Sequence, residues 1–355
     1  MRTTGQSDLS PSIRALIDAG RAAPSADNSQ PWRFIWDGRY LRVKYDHQRV
    51  ANKTFGPHEH ATLLAMGAVK ENILQMAAFL GIDVIQVASG TSEPYFQFEF
   101  KLTDSMNMPT REHPLFQRHT NRFPYSSDPI PSQFLESLTA MSQGQCRALI
   151  YSDRGLIKKL GAWVRIASEV RFQSRDVHEF LGQSLRYSPE EANQGDGLDI
   201  RTLPLPPGGK MFLHLISDWE RLALLNRIGC YKLLALMEAK PVSDAASMLI
   251  IAGPDSPGNG MDAGMLMERT WIRLNSHRIA VHPYYVITDQ LQRLKSSRIA
   301  PPLSPSIKAL ESEIGTVFNS SHGTIHMLMR IGHPKKQPMR SHRLPSEKIT
   351  ELIEL

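Results

Sequence analysis

The sequence predicts an α+β fold in which antiparallel sheets pack on central helices, arranged as two similar units within one chain. Three observations predict it: short alternating apolar runs bounded by turn residues, two long helices apolar on nearly every side, and a weak self-similarity between the halves. Placing Gly67 on Gly264, an offset of 197, also puts Ile82 on Ile279 and Val84 on Val281. Each copy then runs into a β-rich segment, Phe96–Leu102 or His326–Gly332. Identity is low, and two unrelated buried helices followed by strands would leave the same trace. At 355 residues the chain is longer than one ordinary core requires. The expected organisation is a first half over residues 1–110 and a second over 111–355, intertwined, with the boundary near residues 104–117.

Ser10-Pro11-Ser12 is an N-cap with Pro at the first helical position, and Ile13, Leu16, Ile17 and Ala19 follow at helical spacing, so a helix is expected to end near Gly20. A small, polar loop, Arg21–Trp32, framed by Pro24 and Pro31, leads into strands Arg33–Trp36 and Tyr40–Tyr45 around an Asp37-Gly38 turn. From His58 to Gly81 the apolar positions Leu63, Leu64, Ala68, Ile73, Met76, Ala77 and Leu80 predict a helix buried on most sides. Strands Asp83–Ala88 and Tyr95–Leu102 follow, then an irregular stretch Met106–Thr110. In the second half, helices are expected at Pro131–Met141, Asp153–Glu179 and Asp218–Ala239, with a loop-rich insert at Ser188–Lys210. A strand at Ala246–Ala252, a Gly-rich turn at Gly253–Gly260, a long helix at Met261–Arg278, a helix at Thr288–Ser297, a proline-rich loop and a strand at Thr324–Gly332 complete it.

With 41% hydrophobic and 21% charged residues, the composition excludes a disordered or fibrous chain. The net charge is +6 and its carriers are scattered, apart from Lys335, Lys336, Arg340 and Arg343. A small anionic ligand fits this better than a nucleic-acid groove. Two cysteines, Cys146 and Cys230, without zinc-type Cys or His spacing, argue against a disulfide framework and a structural metal. The N-terminus has no apolar signal region, and the longest apolar runs, Ala246–Gly253 and Ile325–Ile331, fall short of the roughly 20 residues that span a bilayer. The expectation is a cytoplasmic protein with no membrane and no metal.

Two segments carry chemistry. In Ala23–Trp32, small side chains let a flat ligand approach the backbone, Ser25 and Asn28 offer hydrogen-bonding groups, and two prolines restrict the loop in advance. A capped helix exit with an Asx-turn at Asp27-Asn28 explains the same residues equally well. Arg118-x-Thr120-x-Arg122, if extended, turns two guanidinium forks and a hydroxyl to one side, an arrangement that grips phosphate. A solvated basic strand is the simpler alternative. Arg340 and Arg343, after the last strand, can meet the same anion. His58 and His60 lack metal spacing and read as capping or solvent-facing.

The motifs Ala-Pro-Ser-x-x-Asn-x-Gln-Pro-Trp (Ala23–Trp32), the Gly-Ala helix from Gly67, Met-Arg-Ile-Gly-His-Pro (Met329–Pro334) and Arg-Leu-Pro (Arg343–Pro345) resemble the flavin-dependent nitroreductase superfamily. Usual members are about half this length, with the Arg motif ahead of the Ala-Pro-Ser loop. Here the order is inverted, as in the Acg-type branch, where one chain carries two nitroreductase-like units and mimics the homodimer. The resemblance implies one flavin across the pseudo-dimer interface, FMN in preference to FAD, with FAD left open. It assigns the phosphate and ribityl end to Arg118, Thr120, Arg122, Arg343 and Arg340. Pro24, Ser25, Asn28 and Gln30 would border the isoalloxazine, with Val281, His282 and Pro283 at its N5 edge, although the family commonly has Gly there. His282 and Tyr284 are weak catalytic candidates, since the flavin carries the chemistry. The region mirroring the Ala-Pro-Ser loop would be Leu185–Asn193, too acidic for a second flavin.

The function implied is an FMN-dependent oxidoreductase acting on a small organic substrate by hydride or electron transfer through N5, with NAD(P)H as candidate reductant or oxygen as oxidant. The insert 188–210 would form a lid. Two alternatives stay open: a flavin-binding or flavin-sequestering protein with little turnover, and a specialised dehydrogenase, oxidase or flavin-fragmenting enzyme. Further association of two chains is also open.

Overall fold

The structure is a computed structural model describing residues 9–50, 55–101 and 110–353. Its first helix, α1 (Pro11–Arg21), starts where Ser10 Oγ accepts from the Ile13 amide at 3.3 Å and buries Ile13, Leu16, Ile17 and Ala19. Strands β1 (Trp32–Trp36) and β2 (Tyr40–Tyr45) form a hairpin closed by Asp37, whose Oδ1 accepts from the Arg39 and Tyr40 amides. Short α2 (His47–Val50) precedes the long, buried α3 (His60–Phe79), then β3 (Asp83–Ser89) and β4 (Phe96–Lys101). The expected half-boundary and the irregular stretch 106–110 lie largely outside the described residues.

The chain resumes through two 3-10 turns into α4 (Ser132–Thr139), β5 (Ser142–Gln143) and β6 (Cys146–Tyr151). A helical insertion follows: α5 (Arg154–Arg171), α6 (Arg175–Ser184), β7 (Leu185–Arg186), α7 (Pro189–Ala192), β8 (Leu198–Asp199), α8 (Gly209–Ile216), α9 (Trp219–Asn226) and α10 (Cys230–Ser243). The single helix expected over 153–179 is thus two, because the chain turns at Phe172, buried against Ile216, Leu222 and Leu234, and restarts after Ser174. The helix expected over 218–239 is also two: Gly229, at φ +90°, has a left-handed backbone that no right-handed helix accommodates.

Next come β9 (Ser247–Gly253), α11 (Pro257–Ser276), β10 (Ala280–Tyr284), α12 (Val286–Lys295), α13 (Ser304–His322), β11 (Thr324–Gly332), α14 (Ser346–Ile349) and β12 (Thr350–Leu352). Part of the expected Gly-rich turn is the first turn of α11, capped by Ser256. The expected proline-rich loop is mostly α13. Pro305 stands in its first turn, where a missing N–H costs nothing, and Ile307, Leu310, Ile314 and Phe318 bury one stripe.

One sheet has the order β12-β1-β2-β4-β3 and the other β10-β11-β9-β6-β5. Both are antiparallel except that β12 joins β1 in parallel, pairing Phe34 with Thr350 and Trp36 with Leu352. The last strand therefore completes the first sheet. Helices α3 and α11 cross at glycines: a Cβ on Gly67 would lie 2.0 Å from the Met261 carbonyl oxygen, and one on Gly264 2.1 Å from that of Leu64. One apolar core joins α1, α3 and the first sheet to α11, Val281, Met329 and Leu344, while a second lies between the other sheet and α5, α10, α12 and α13. Among the described residues no helix is long and apolar enough to cross a membrane.

Candidate functional site

The end of α1, the loop after it, the segment 115–122, the insert near 198–202 and the tail 339–343 enclose a cavity of about 330 Å³, within the ligand-pocket range of about 300–1,000 Å³. Pro24, Ser25, Asn28, Arg118, Thr120, Arg122, Arg340 and Arg343 all line it. Gln30, Val281, His282 and Pro283 do not. Residues 118–122 form no strand, but their cavity wall carries both arginines and the threonine.

The loop holds its shape at a conformational cost. Asp27, Asn28 and Gln30 have φ of 46°, 57° and 50°, in the left-handed region that non-glycine residues rarely adopt. Ser25 Oγ closes the turn by accepting from the Gln30 amide at 2.9 Å. The two amide side chains are spent on protein. Asn28 Nδ2 donates toward the carbonyls of Gly195, Gly197 and His342 at 3.0–3.3 Å, and its Oδ1 accepts from Arg343 Nη1 at 2.8 Å. Gln30, fully buried, donates to the Gly195 carbonyl at 2.8 Å and accepts from the Leu344 amide at 3.0 Å. Together they clamp insert, loop and tail. Asn28→Ala is expected to make the insert near 195–202 more sensitive to limited proteolysis and to cost about 1–3 kcal/mol through unsatisfied carbonyls; cleavage at the wild-type rate would show that the clamp does not hold the insert.

The arginines divide into two kinds. Arg118 is buried, its Nε 2.9 Å from Glu268 Oε1 on α11, its Nη2 donating to the Ala22 carbonyl at 2.8 Å, its guanidinium 4.7 Å over the Trp271 ring. Its charge is answered within the protein. Arg21 is likewise paired with Asp18 at 2.9 Å. Arg122 and Arg343 have no carboxylate within 4.0 Å among the described residues. Burial lowers the pKa of Arg122, and burial with Arg118 alongside brings that of Arg343 down to about 9. In all, six arginines and two aspartates line the cavity, so its field favours an anion.

His282 and Tyr284, on β10, do not line the cavity, and their rings lie 4.3 Å apart. Burial, with Arg122 and Arg330 nearby, holds His282 well below the usual histidine range, so the imidazole is neutral. Its Nδ1 and the Tyr284 hydroxyl have no hydrogen-bond partner among the described residues. The Val281 carbonyl accepts from the Asn121 amide at 2.8 Å. Leu185–Asn193 lies in the helical insertion, across β7 and α7. Asp27 and Glu268 belong to the site without having been expected there, whereas Leu198 and Thr202 come from the insert expected as a lid. Asp27 reads as a turn former and Glu268 as one residue of a buried helix; only the fold brings them to the arginines.

No family model matches the chain. An uncharacterized protein of Mycobacterium tuberculosis (strain CDC 1551 / Oshkosh), MT1398, is 24% identical over 289 residues, covering 79% of this chain; the chain spans 39% of that relative's length. Among solved structures, the FMN-dependent nitroreductase NfnB of Mycobacterium smegmatis in complex with NADPH aligns at 11% identity over 63% of this chain and 87% of its own, with a TM-score of 0.34. A nitroreductase with bound FMN from Desulfitobacterium hafniense DCB-2 aligns at 13% identity over 70% and 99%, with a TM-score of 0.37. A nitroreductase-like family protein from Bacillus cereus aligns at 12% identity over 71% and 100%, with a TM-score of 0.35.

Proposed function

We propose that the cavity binds FMN and that the chain is an FMN-dependent oxidoreductase acting on a small organic substrate. The observation that carries this reading is the convergence of Arg122 and Arg343, two guanidinium groups without carboxylate partners, on one cavity with Thr120 and the Ala-Pro-Ser loop. A phosphate monoester supplies a close counter-charge, which no carboxylate gives them within 4.0 Å among the described residues. The rest of the wall suits a flat ring: Pro24 and Ser25 present little bulk, and Leu115 and Leu198 are apolar. The unpartnered Arg343 Nε is a further group on the wall that a polar ligand would satisfy. When bound, the flavin supplies hydride and electron transfer at N5, with NAD(P)H as the reductant. In this reading Arg122, Arg343 and Thr120 would hold the phosphate, with Arg340 on the same cavity wall, and Arg118 fixes the Ala22 carbonyl and so the loop that follows it.

The reading extends to the whole chain as two nitroreductase-like units, Acg-type, sharing one interface. Supporting it, β1-β2-β4-β3 and β6-β9-β11-β10 follow the same order, and Gly67 with Leu64 stands to Met261 with Gly264 as one copy to the other. A second reading, flavin storage with little turnover, is favoured by the clamp, because the insert tied down by Asn28 walls the cavity through Leu198 and Thr202.

Purified protein reconstituted with FMN is expected to bind it and show oxidised-flavin absorption. Arg122→Ala should weaken binding roughly 10- to 100-fold, the worth of a charged hydrogen bond, while keeping the circular dichroism and melting temperature of the parent. A wild-type chain that cannot take up FMN sinks the reading; an unchanged affinity in the variant sinks the phosphate assignment. Anaerobic bleaching by NADPH separates a reductase from a store, which dithionite alone would bleach.

A further inference from the structure

Asp27 lines the cavity, on a turn whose left-handed backbone (φ 46°, ψ 28°) fixes where its side chain stands. Its carboxyl makes no hydrogen bond and no ion pair within 4.0 Å with any described residue. The charges that act on it are, the larger first, Arg171, itself paired with Glu238 at 2.7 Å, and Arg122, which lines the same cavity and donates to Thr202 Oγ1 at 3.5 Å. The other neighbours are engaged elsewhere. On α6, packed against the turn, Arg175 pairs with Glu179 and Glu220, Asp176 with Arg293, and His178 bonds the Ile216 carbonyl. On α3, Glu71 holds Arg269 and Lys70 reaches Ser89. Asp18, the cavity's other acid, pairs with Arg21 and Arg111, and Arg343 is held by Asn28. Asp27 and Arg122 thus line one cavity, neither with an ion pair within 4.0 Å among the described residues, and burial already raises the Asp27 carboxyl above the usual aspartate range.

We infer that Asp27 is the internal counter-anion of Arg122, and that an entering phosphate monoester takes Arg122 from it, so that the cavity takes up a proton from solvent with each anion bound. This rests on the reading that the cavity receives a phosphate-bearing ligand. The physical step is a competition: two anions sharing one guanidinium repel, and in a poorly hydrated cleft the weaker acid is neutralised. Asp27 passes from carboxylate to carboxylic acid, and no bond in the ligand is made or broken. The neutral acid then presents an O–H to the ligand. Because the complex holds more protons than the free components, binding strengthens as pH falls.

Titration calorimetry of the full chain, in buffers of different ionisation enthalpy, counts the protons directly. FMN and inorganic pyrophosphate are the anionic probes and riboflavin, which lacks the phosphate, is the control. Wild type is expected to take up protons with FMN and pyrophosphate but not with riboflavin. Asp27→Asn should abolish the excess uptake and bind FMN about ten-fold more tightly at pH 8, the equivalent of one pKa unit. FMN binding with equal proton uptake in wild type and Asp27→Asn overturns this inference and leaves the flavin reading intact. Asp27-dependent uptake with pyrophosphate but no FMN binding supports it and overturns the flavin reading, and binding of neither overturns both.

Discussion

Gly67→Ala is expected to destabilise the chain by about 2 kcal/mol or more, even though alanine is the better helix former. Propensity alone favours the change by about 1 kcal/mol. Against it stands geometry: the added methyl would sit 2.0 Å from the Met261 carbonyl oxygen and 3.0 Å from the Gly264 Cα. Both are backbone atoms of a helix, so no rotamer change relieves the contact and the two helices must part. Both are buried along most of their length, with Leu63, Leu64, Met66 and Val69 on one and Met265, Leu266, Met267 and Trp271 on the other. Separating them opens the core they share, and overpacking of this kind costs about 1–3 kcal/mol and occasionally more. Gly264→Ala should behave alike, because its methyl meets the Leu64 carbonyl oxygen at 2.1 Å. Gly315, in α13, is the control: a Cβ there meets nothing within 4 Å, and alanine should stabilise by up to about 1 kcal/mol. Urea midpoints decide the matter. A Gly67→Ala midpoint at or above wild type would mean that the helices do not cross at these glycines.

The two helices and the correspondence of Gly67 with Gly264 were legible in the sequence, but their close approach shows only in the fold. Much of the first half was legible in the same way: Ser10-Pro11, Asp37-Gly38 and the alternating strands are local signals that act within a few residues. The second half obscured its elements where local signals mislead. Three prolines at 301, 302 and 305 suggest a loop, yet the last stands in the first turn of α13 and the apolar stripe begins only at Ile307. β12 has three residues and is defined by its partner β1, a pairing across more than three hundred residues that no local pattern encodes. The site divides in the same manner. Its arginines fall in short motifs and could be named, but whether each is free depends on a carboxylate elsewhere in the chain. Arg118 reads like Arg122 in sequence; Glu268, far along the chain on α11, makes them different.

Removing Glu268 should therefore have the largest effect of any single change at the site. Glu268→Ala leaves Arg118 buried without its counter-charge, and breaking such a pair costs about 3–5 kcal/mol. Burial outweighs the attraction of Arg118 and pushes the Glu268 carboxyl up to about 7, from an ordinary value of 4.5. A carboxyl raised in the folded state holds its proton more firmly there than in the unfolded chain. Its contribution is present in full below about pH 4.5 and is lost as pH rises through about 7. Wild type should thus lose stability across that window, and Glu268→Gln, which keeps the shape without the titration, should flatten the slope. The same variant leaves Arg118 uncompensated beside Arg343, so it should bind pyrophosphate more tightly, and because it keeps the neutral form that the fold prefers it should be at least as stable as wild type above about pH 7. A general packing defect would weaken both. Tighter binding without loss of stability above about pH 7, together with recovery of the Glu268→Ala loss when Arg118→Leu is combined with Glu268→Leu, is the expected signature of this pair; a Glu268→Gln chain that binds pyrophosphate no better than wild type would show that Glu268 does not hold the charge of Arg118 back from the cavity.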